Sequence, residues 1–445
     1  MTQTAMTTTD RYVAQFEAVA GNGAAAAPAW LKSLRSNAIT QFAALGFPTT
    51  KQEQWRFTSV RDIAEKAFRP AETVPQVDLT ALEPYLIGDM ARLVFVNGRF
   101  AAPLSSVNDI PDGVVFSSLT DALANHNDIV EAHLGKHVPA DYNAFAALNT
   151  AFALDGAFVY VPKDVTVENG LHVIYVTSFE EDGALTTPRN LIVVESGARA
   201  DVIESYVGLS DRNSLTAAVS EVVVGDNAQV ECYRIQRESE NAYHVANTWS
   251  TQGRDSNYAF HTVPLGSRLT RHDIRMVMNG EGGQGILNGL YVTHGQQHVD
   301  HNTILEHATP HCESHEYFNG ILDDHSRSVF NGRIIVRPGA QKTDSKQTNN
   351  NLLLSENARA DSQPQLEIYA DDVKCTHGAT LGPMDQNSLF YLQSRGLNAD
   401  DARNMLTYGF GIEILDRMKV PVVRDYLDGL IRSRLAQYRP KQAAS

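Results

Sequence analysis

Residues 190–207 read NLIVVESGARADVIESYV, two apolar β-branched runs joined at Ser196-Gly197-Ala198. Each run has the length of a strand, and the joint has the composition of a turn. The same texture continues on both sides. FVYVP (158–162), LHVIYV (171–176), SEVVVG (220–225), AQVECYRI (228–235) and RIIVRP (333–338) are separated by Gly, Asn and Asp. From about Ala157 to Thr380 no amphipathic helix interrupts these runs. A doubly wound sheet needs crossover helices between its parallel strands, so this stretch excludes one. A sandwich, a barrel or a β-solenoid remains.

One turn recurs. Ser196–Ala200 (SGARA), Asp226–Val230 (DNAQV), Pro338–Gln341 (PGAQ) and Glu356–Ala360 (ENARA) each place Gly or Asn before Ala at a strand start. A tight corner reused with a small residue packed inside is what a stacked coil requires. The spacing between copies is irregular, so the repeat favours a solenoid without excluding a sandwich. The polar run Gln347-Thr348-Asn349-Asn350-Asn351 is expected to stack at successive corners.

The flanks read differently. Trp30, Leu34, Ala38, Phe42 and Leu45 recur at helical spacing, and Gly46 stands where a C-cap is expected before Pro48. AAAAP (24–28) makes a flexible lead-in, and Pro70, Pro75 and Pro84 mark an irregular connection over 69–90. LVFVNGRF (93–100) is a β-rich run ending in the tight-turn pair Asn97-Gly98. A helical pattern returns around Leu119, Leu123 and Ile129. Beyond the β region, Asp385 caps a helix through Ser394, Asn398 caps a second, and Pro421 opens a third. Val422, Val423, Tyr426, Leu427, Leu430, Ile431 and Leu435 give that third helix an apolar stripe opposite Arg424, Arg432 and Arg434. Such helices either cap the solenoid end or offer a docking face. The expected units are a mostly helical N-terminal domain with its connecting segment (1–150), a β core (151–382) and a C-terminal helical domain (383–445).

Charge narrows the partners. Lys plus Arg is 37 against 52 for Asp plus Glu, a formal net charge of −15 over 445 residues. A surface that acidic repels phosphate backbones and anionic lipid, so neither nucleic acid nor a membrane face is expected as a partner. No run approaches the roughly 18 apolar residues of a membrane span. The first residues lack a basic segment followed by an apolar one, so no secretory signal is read. Three widely spaced cysteines, Cys232, Cys312 and Cys375, do not make a disulfide framework. A reduced, cytoplasmic protein is expected.

Few motifs carry chemistry. Gly280–Gly285 matches GxGxxG, but the following Ile286–Val292 reads as strand, so the match is expected to be a solenoid turn. Nine of fifteen histidines fall between His261 and His325, including His294, His298, His301, His307, His311 and His315. On a strand, residues an odd number apart face opposite ways, so His298 and His301 are expected to diverge. Hydrogen-bonding histidines are therefore favoured over a metal cage, with His307 structural. Cys375 and His377 are the sharper pair, sharing one face of an extended chain about 6.5 to 7 Å apart. A thiolate and an imidazole are ligands for iron, zinc or a cluster, yet two donors do not complete a site. On the residues alone a small buried Cys beside a polar His is the favoured account. Cys232 and Cys312 read as small core residues. No Gly-x-Ser-x-Gly elbow and no Walker A lysine is present.

At this point a family comes into view. PQLEIYADDVKCTHGATLGPMDQNSLFYLQSRGL (364–397), GFPTTKQEQWRFTS (46–59), FAALNTAFALDGAFVYVPKDV (145–165), PRNLIVVESGA (188–198), EHATPHCES (306–314) and VFNGRIIVRPGAQKTDSKQTNNNLLLS (329–355) together resemble the SufB/SufD family of the SUF iron–sulfur cluster assembly system. They cover most of the chain in the family's order. Cys375-Thr376-His377-Gly378-Ala379 stands where the SufB branch usually has Cys-Glu-His-Glu-Ala. The absence of both Glu residues, with the N-terminal Trp element, places the chain on the SufD side.

The resemblance implies a right-handed parallel β-helix core flanked by N-terminal and C-terminal α-helical domains. It implies a scaffold and not an enzyme, pairing with SufB through the β-helix end and docking the ABC-type ATPase SufC through its C-terminal helices. Cys375 and His377 match positions tied to iron or a nascent iron–sulfur cluster, held transiently and shared with SufB; the same interface leaves a homodimer of the isolated chain open. Two other functions compete: a β-helix enzyme of the secreted, polysaccharide-active kind, and a histidine-rich metal-dependent oxygenase using His294 to His315.

Overall fold

In the computed structural model, which describes residues 8–23, 27–66, 68–71 and 74–437, the β-rich runs form a flattened parallel β-helix. From Arg189–Val194 onward successive strands alternate between an 11-stranded and a 10-stranded sheet, so each pairs with the second one along the chain and not with the next. Along the 10-stranded sheet the register carries Arg199 to Gln229, Asn257, Gln284, Glu313, Asp344 and Lys374. The steps are 30, 28, 27, 29, 31 and 30 residues. This settles the choice left open between a stacked coil and a sandwich.

A single backbone device sets the corner before each of those strands except the one at Lys374, and also before Thr166 one coil earlier. Asp164, Gly197, Asn227, Asp255, Gly282, His311 and Lys342 all lie at φ between 51° and 76°. Gly, Asn and Asp tolerate that left-handed conformation best, and they hold five of the seven places. The amide of each donates to the next coil: Gly197 to the Asp226 carbonyl at 2.8 Å, Asn227 to Arg254 at 2.7 Å, Asp255 to Glu281 at 2.9 Å. The residue that follows points inward and must be small. Ala198, Ala228, Ser256, Cys312 and Thr343 fill that column at no more than 1% exposure. Cys312 is thus a structural residue, as its size suggests.

The recurring turn divides between two corners. Ser196–Ala200 and Asp226–Val230 occupy the corner just described, and Pro338–Gln341 leads into it at Lys342. Glu356–Ala360 lies at the opposite corner, before the strand Arg359–Ile368 of the other sheet. Both corners demand a sharp bend over a small side chain, so they share a sequence signature and hide the repeat. The run Gln347–Asn351 is not at a corner. It lies within the strand Asp344–Leu353, where Asn350 donates to Asn319 at 3.3 Å and accepts from Thr380 at 2.7 Å, a polar ladder across three coils. The GxGxxG match is a corner, with Gly282 at φ 76° and a strand following at Gln284–Thr293.

The lumen is mostly apolar, lined by Val202, Val230, Phe260, Leu287, Tyr291, Phe318 and Phe330 among others. The strand Ala91–Val96 already belongs to it, pairing in parallel with Leu171–Val176 before turning at Asn97-Gly98 into a short antiparallel strand. Each outer face is covered by helices. Phe42 of the helix Ala29–Leu45, Trp55, and Phe145 and Leu148 of the helix Ala144–Phe152 pack on Leu215, Ala217, Tyr243, Val245 and Leu269 of the first sheet. Gly46 ends the first of these helices at φ 60°; part of the Ala24–Pro28 lead-in lies outside the described residues.

The C-terminal helices are capped as their sequence indicates. The Asp385 carboxylate accepts from the Asn387 and Ser388 amides at the start of Gln386–Ser394, and Asn398 accepts from the Asp401 amide at the start of Ala399–Leu415. Val423, Leu427, Ile431 and Leu435 of Pro421–Gln437 pack on Tyr233, Ile235, Val263, Leu290 and Ile321 of the second sheet. They lie along the flank of the solenoid and not over its end, which corrects the capping alternative. The last coil, Arg359–Ile368 and Lys374–Pro383, stays uncovered among the described residues.

Candidate functional site: the open last coil

Lys374–Pro383 is the outermost strand of its sheet, and Arg359–Ile368 is outermost in the other. Each carries one free edge of backbone donors and acceptors, the kind of edge to which another strand adds. Apolar side chains stand at this end. Ile368 is 40% exposed, Tyr369 58% and Leu381 55%. An end this apolar is unusual for a surface facing only water.

Cys375 and His377 both lie on this strand. Cys375 is in register with Ser345 and His377 with Gln347. Ser345 and Gln347 point into the lumen, at 1% and 0% exposure, so Cys375 and His377 top two inward-facing columns where those columns meet solvent. Cys375 is half-buried against the core. Burial, helped by the nearby Asp344 carboxylate, pushes its thiol above the ordinary cysteine range. Left alone it stays a thiol; a metal ion would favour the thiolate. His377 is exposed and makes no hydrogen bond among the described residues. The same-face expectation therefore holds, with one donor sheltered and one free.

The described residues contain no group of three or more His, Cys, Asp or Glu placed to hold a metal. The histidines between His294 and His315 are dispersed. His298 lies on the outer face, 3.0 Å from the Thr58 hydroxyl, while His301 lies in the lumen 4.9 Å from the Phe318 ring. His307 is buried and bonded to Ser314 at 2.8 Å. His294 pairs with Glu240 at 2.9 Å, and His315 with Glu313 at 2.6 Å. His311 sits at an exposed corner. Burial drives His301 down to about 3 and His307 to about 4, so both are neutral packing residues. Cys232 is buried in the lumen with its thiol well above the usual range.

One neighbour of the pair escaped the sequence reading. Leu287, Glu316, Gln347 and His377 form a single in-register column. Glu316 is 1% exposed, and Gln347 donates its amide to the Glu316 carboxylate at 2.6 Å. Burial raises Glu316 to about 7, against the opposing influence of the Thr303 hydroxyl and the Gln347 amide. The signal was the coil length: counting back from His377 in steps of about thirty residues lands on both. That step becomes usable only once the corners are aligned.

The molecule is thus a parallel β-helix with helices on both flanks and a last coil left bare among the described residues. Comparison with known proteins gives its family. The model described as SUF system FeS cluster assembly, SufBD core domain, matches residues 176–410, and the SufBD protein N-terminal region matches residues 6–173. An iron–sulfur cluster assembly SufBD family protein of Synechocystis is 34% identical over 91% of each chain. SufD of Escherichia coli is 32% identical over 89% of this chain and 91% of its own length. SufB of Bacillus subtilis is 28% identical over 67% and 64%. The chain belongs to the SufBD family of iron–sulfur cluster assembly proteins.

Proposed function

We propose that this chain is the SufD-type subunit of a SUF assembly complex, a scaffold that pairs its bare last coil with a SufB-type chain and shares Cys375 and His377 across the seam. The observation that carries this reading is the placement of those two side chains on the edge strand itself, short of donors. A partner strand added there brings its own side chains within reach of both. Similarity to SufD extends over about nine-tenths of the chain, whereas similarity to SufB covers two thirds, which supports the SufD assignment. Iron and sulfide are cargo in this scheme, and the chain performs no turnover of its own.

The second partner is a SufC-type ATPase. The helix Gln386–Ser394 buries no side chain, and Phe390 at 72% and Tyr391 at 57% exposure, with Met405 at 56%, form the apolar surface offered to it. ATP-driven closure of two ATPase copies would draw on these helices and open the adjoining seam, since Pro383 ends the seam strand and Gln386 starts the docking helix. The complex is placed in the reducing cytoplasm, which suits three free thiols. The test is anaerobic cluster reconstitution on the purified three-chain complex. His377→Ala should lower cluster formation with assembly of the complex intact; a parental rate would refute the ligand role.

A further inference from the structure

The column beneath His377 carries two buried polar side chains, Gln347 and Glu316, above Leu287, and its hydrogen bonding is incomplete. Glu316 Oε2 accepts from Gln347 Nε2 at 2.6 Å, but Glu316 Oε1 and Gln347 Oε1 have no partner, and neither has Ser362 Oγ in the last coil of the facing sheet. A buried polar atom left unpaired is costly, and such atoms are ordinarily satisfied by enclosed water. The cradle is shaped for the Gln347 amide. Gly332 faces it from the other sheet, and a Cβ there would stand 2.4 Å from Gln347 Nε2. Above Gln347 in the same column stands only His377, whose ring is free.

We propose that Glu316 is a positioning residue for His377, acting through Gln347 and through water held among the unpaired oxygens. Glu316 fixes the Gln347 amide, so the Gln347 carbonyl oxygen and its water present acceptors toward the underside of the imidazole. An acceptor there takes up one ring N–H and leaves the other nitrogen's lone pair directed at the seam, the orientation a metal ligand needs. The inference rests on the reading of His377 as a seam ligand and adds the residues that aim it.

Two measurements test it. A crystal structure of the chain at a resolution that shows water should place at least one water within hydrogen-bonding distance of two of the three unpaired oxygens; a dry lumen overturns the proposal. In the assembled complex, Glu316→Leu and Gln347→Leu should each lower cluster formation about tenfold or more, the loss expected for an outer-shell partner. Glu316→Gln keeps an acceptor for the Gln347 amide and should stay within about twofold of the parent. Glu316→Leu leaves the Gln347 amide without its acceptor and so lowers the thermal midpoint; cluster formation lost in a complex that still assembles separates positioning from a structural role. Equal losses for Glu316→Leu and Glu316→Gln, or none for either, overturn the proposal. His377→Ala run in parallel tells the two readings apart: if it alone is defective, the ligand role stands and the positioning role fails.

Discussion

Arg271 and Asp300 form a hydrogen-bonded ion pair at 2.5 Å in which each side chain is 1% exposed. The guanidinium also bonds Asp273 at 2.8 Å, donates to the Gln54 carbonyl at 2.8 Å and lies 4.0 Å from the centroid of the Trp55 ring. Asp300 accepts from Thr58 as well. The N-terminal Trp element is therefore clamped to the outer face of the solenoid by one arginine with two carboxylates.

Removing one member of such a group leaves a buried charge uncompensated, which costs far more than the pair is worth. Arg271→Met is expected to lose about 3–5 kcal/mol in denaturant unfolding. Limited proteolysis near Lys51 and Arg56 should accelerate, because Gln54 and Trp55 lose their anchor. Unchanged cleavage there would show that the clamp does not hold the element.

Glu316 predicts a pH dependence. Its folded-state pKa of about 7 lies above its ordinary value of 4.5, so its contribution to stability is fully present below pH 4.5 and is lost as pH rises through about 7. Glu316→Gln abolishes that loss. Thermal or denaturant midpoints should match the parent near pH 4.5 and exceed it at pH 8, by about 3 kcal/mol at most from the size of the shift. Equal effects at both pH values would contradict the burial of a titrating carboxyl.

The corner column predicts opposite outcomes at two adjacent coils. At Gly197 the backbone has φ 70°, and an added Cβ would stand 2.2 Å from Asp164 Oδ1. Gly197→Ala should cost about 1–2 kcal/mol from handedness alone, plus the clash. Asn227, at φ 56° in the same corner one coil on, should tolerate Asn227→Gly with little change. Circular dichroism melts of the two variants compare them directly.

Deleting everything after Pro383 would be a poor test of ATPase docking, because it would bare the sheet under Leu427 and Ile431. Exposed positions give a cleaner one. Phe390→Ala with Tyr391→Ala should abolish binding of a SufC-type partner in a pull-down while leaving the melting temperature within a degree or two, since neither side chain is buried. Retained binding would move the docking site elsewhere.

Local chemistry was legible wherever a residue type is forced by its immediate neighbours. The Asp385 and Asn398 caps, the Asn97-Gly98 turn, the divergence of His298 and His301 and the shared face of Cys375 and His377 all follow from spacing of a few residues. The polar run at Gln347–Asn351 misled because stacked amides suit a corner and a strand ladder equally well. The Arg271 clamp was hidden for another reason. Asp273 is a near neighbour on the same strand, but Gln54 and Asp300 lie 217 and 29 residues from Arg271, and no local pattern links those.

By itself the sequence determined a helix-flanked, strand-rich chain with strict small-residue corners, and family resemblance in its long tracts pointed to cluster assembly. Tertiary structure alone decided which corner each turn occupies, which flank the C-terminal helices cover, and what lies beneath His377. The physical reason is that a parallel β-helix makes its contacts about thirty residues apart. Turns, caps and strand faces are settled within a few residues, whereas stacking partners exist only after every coil between them has closed.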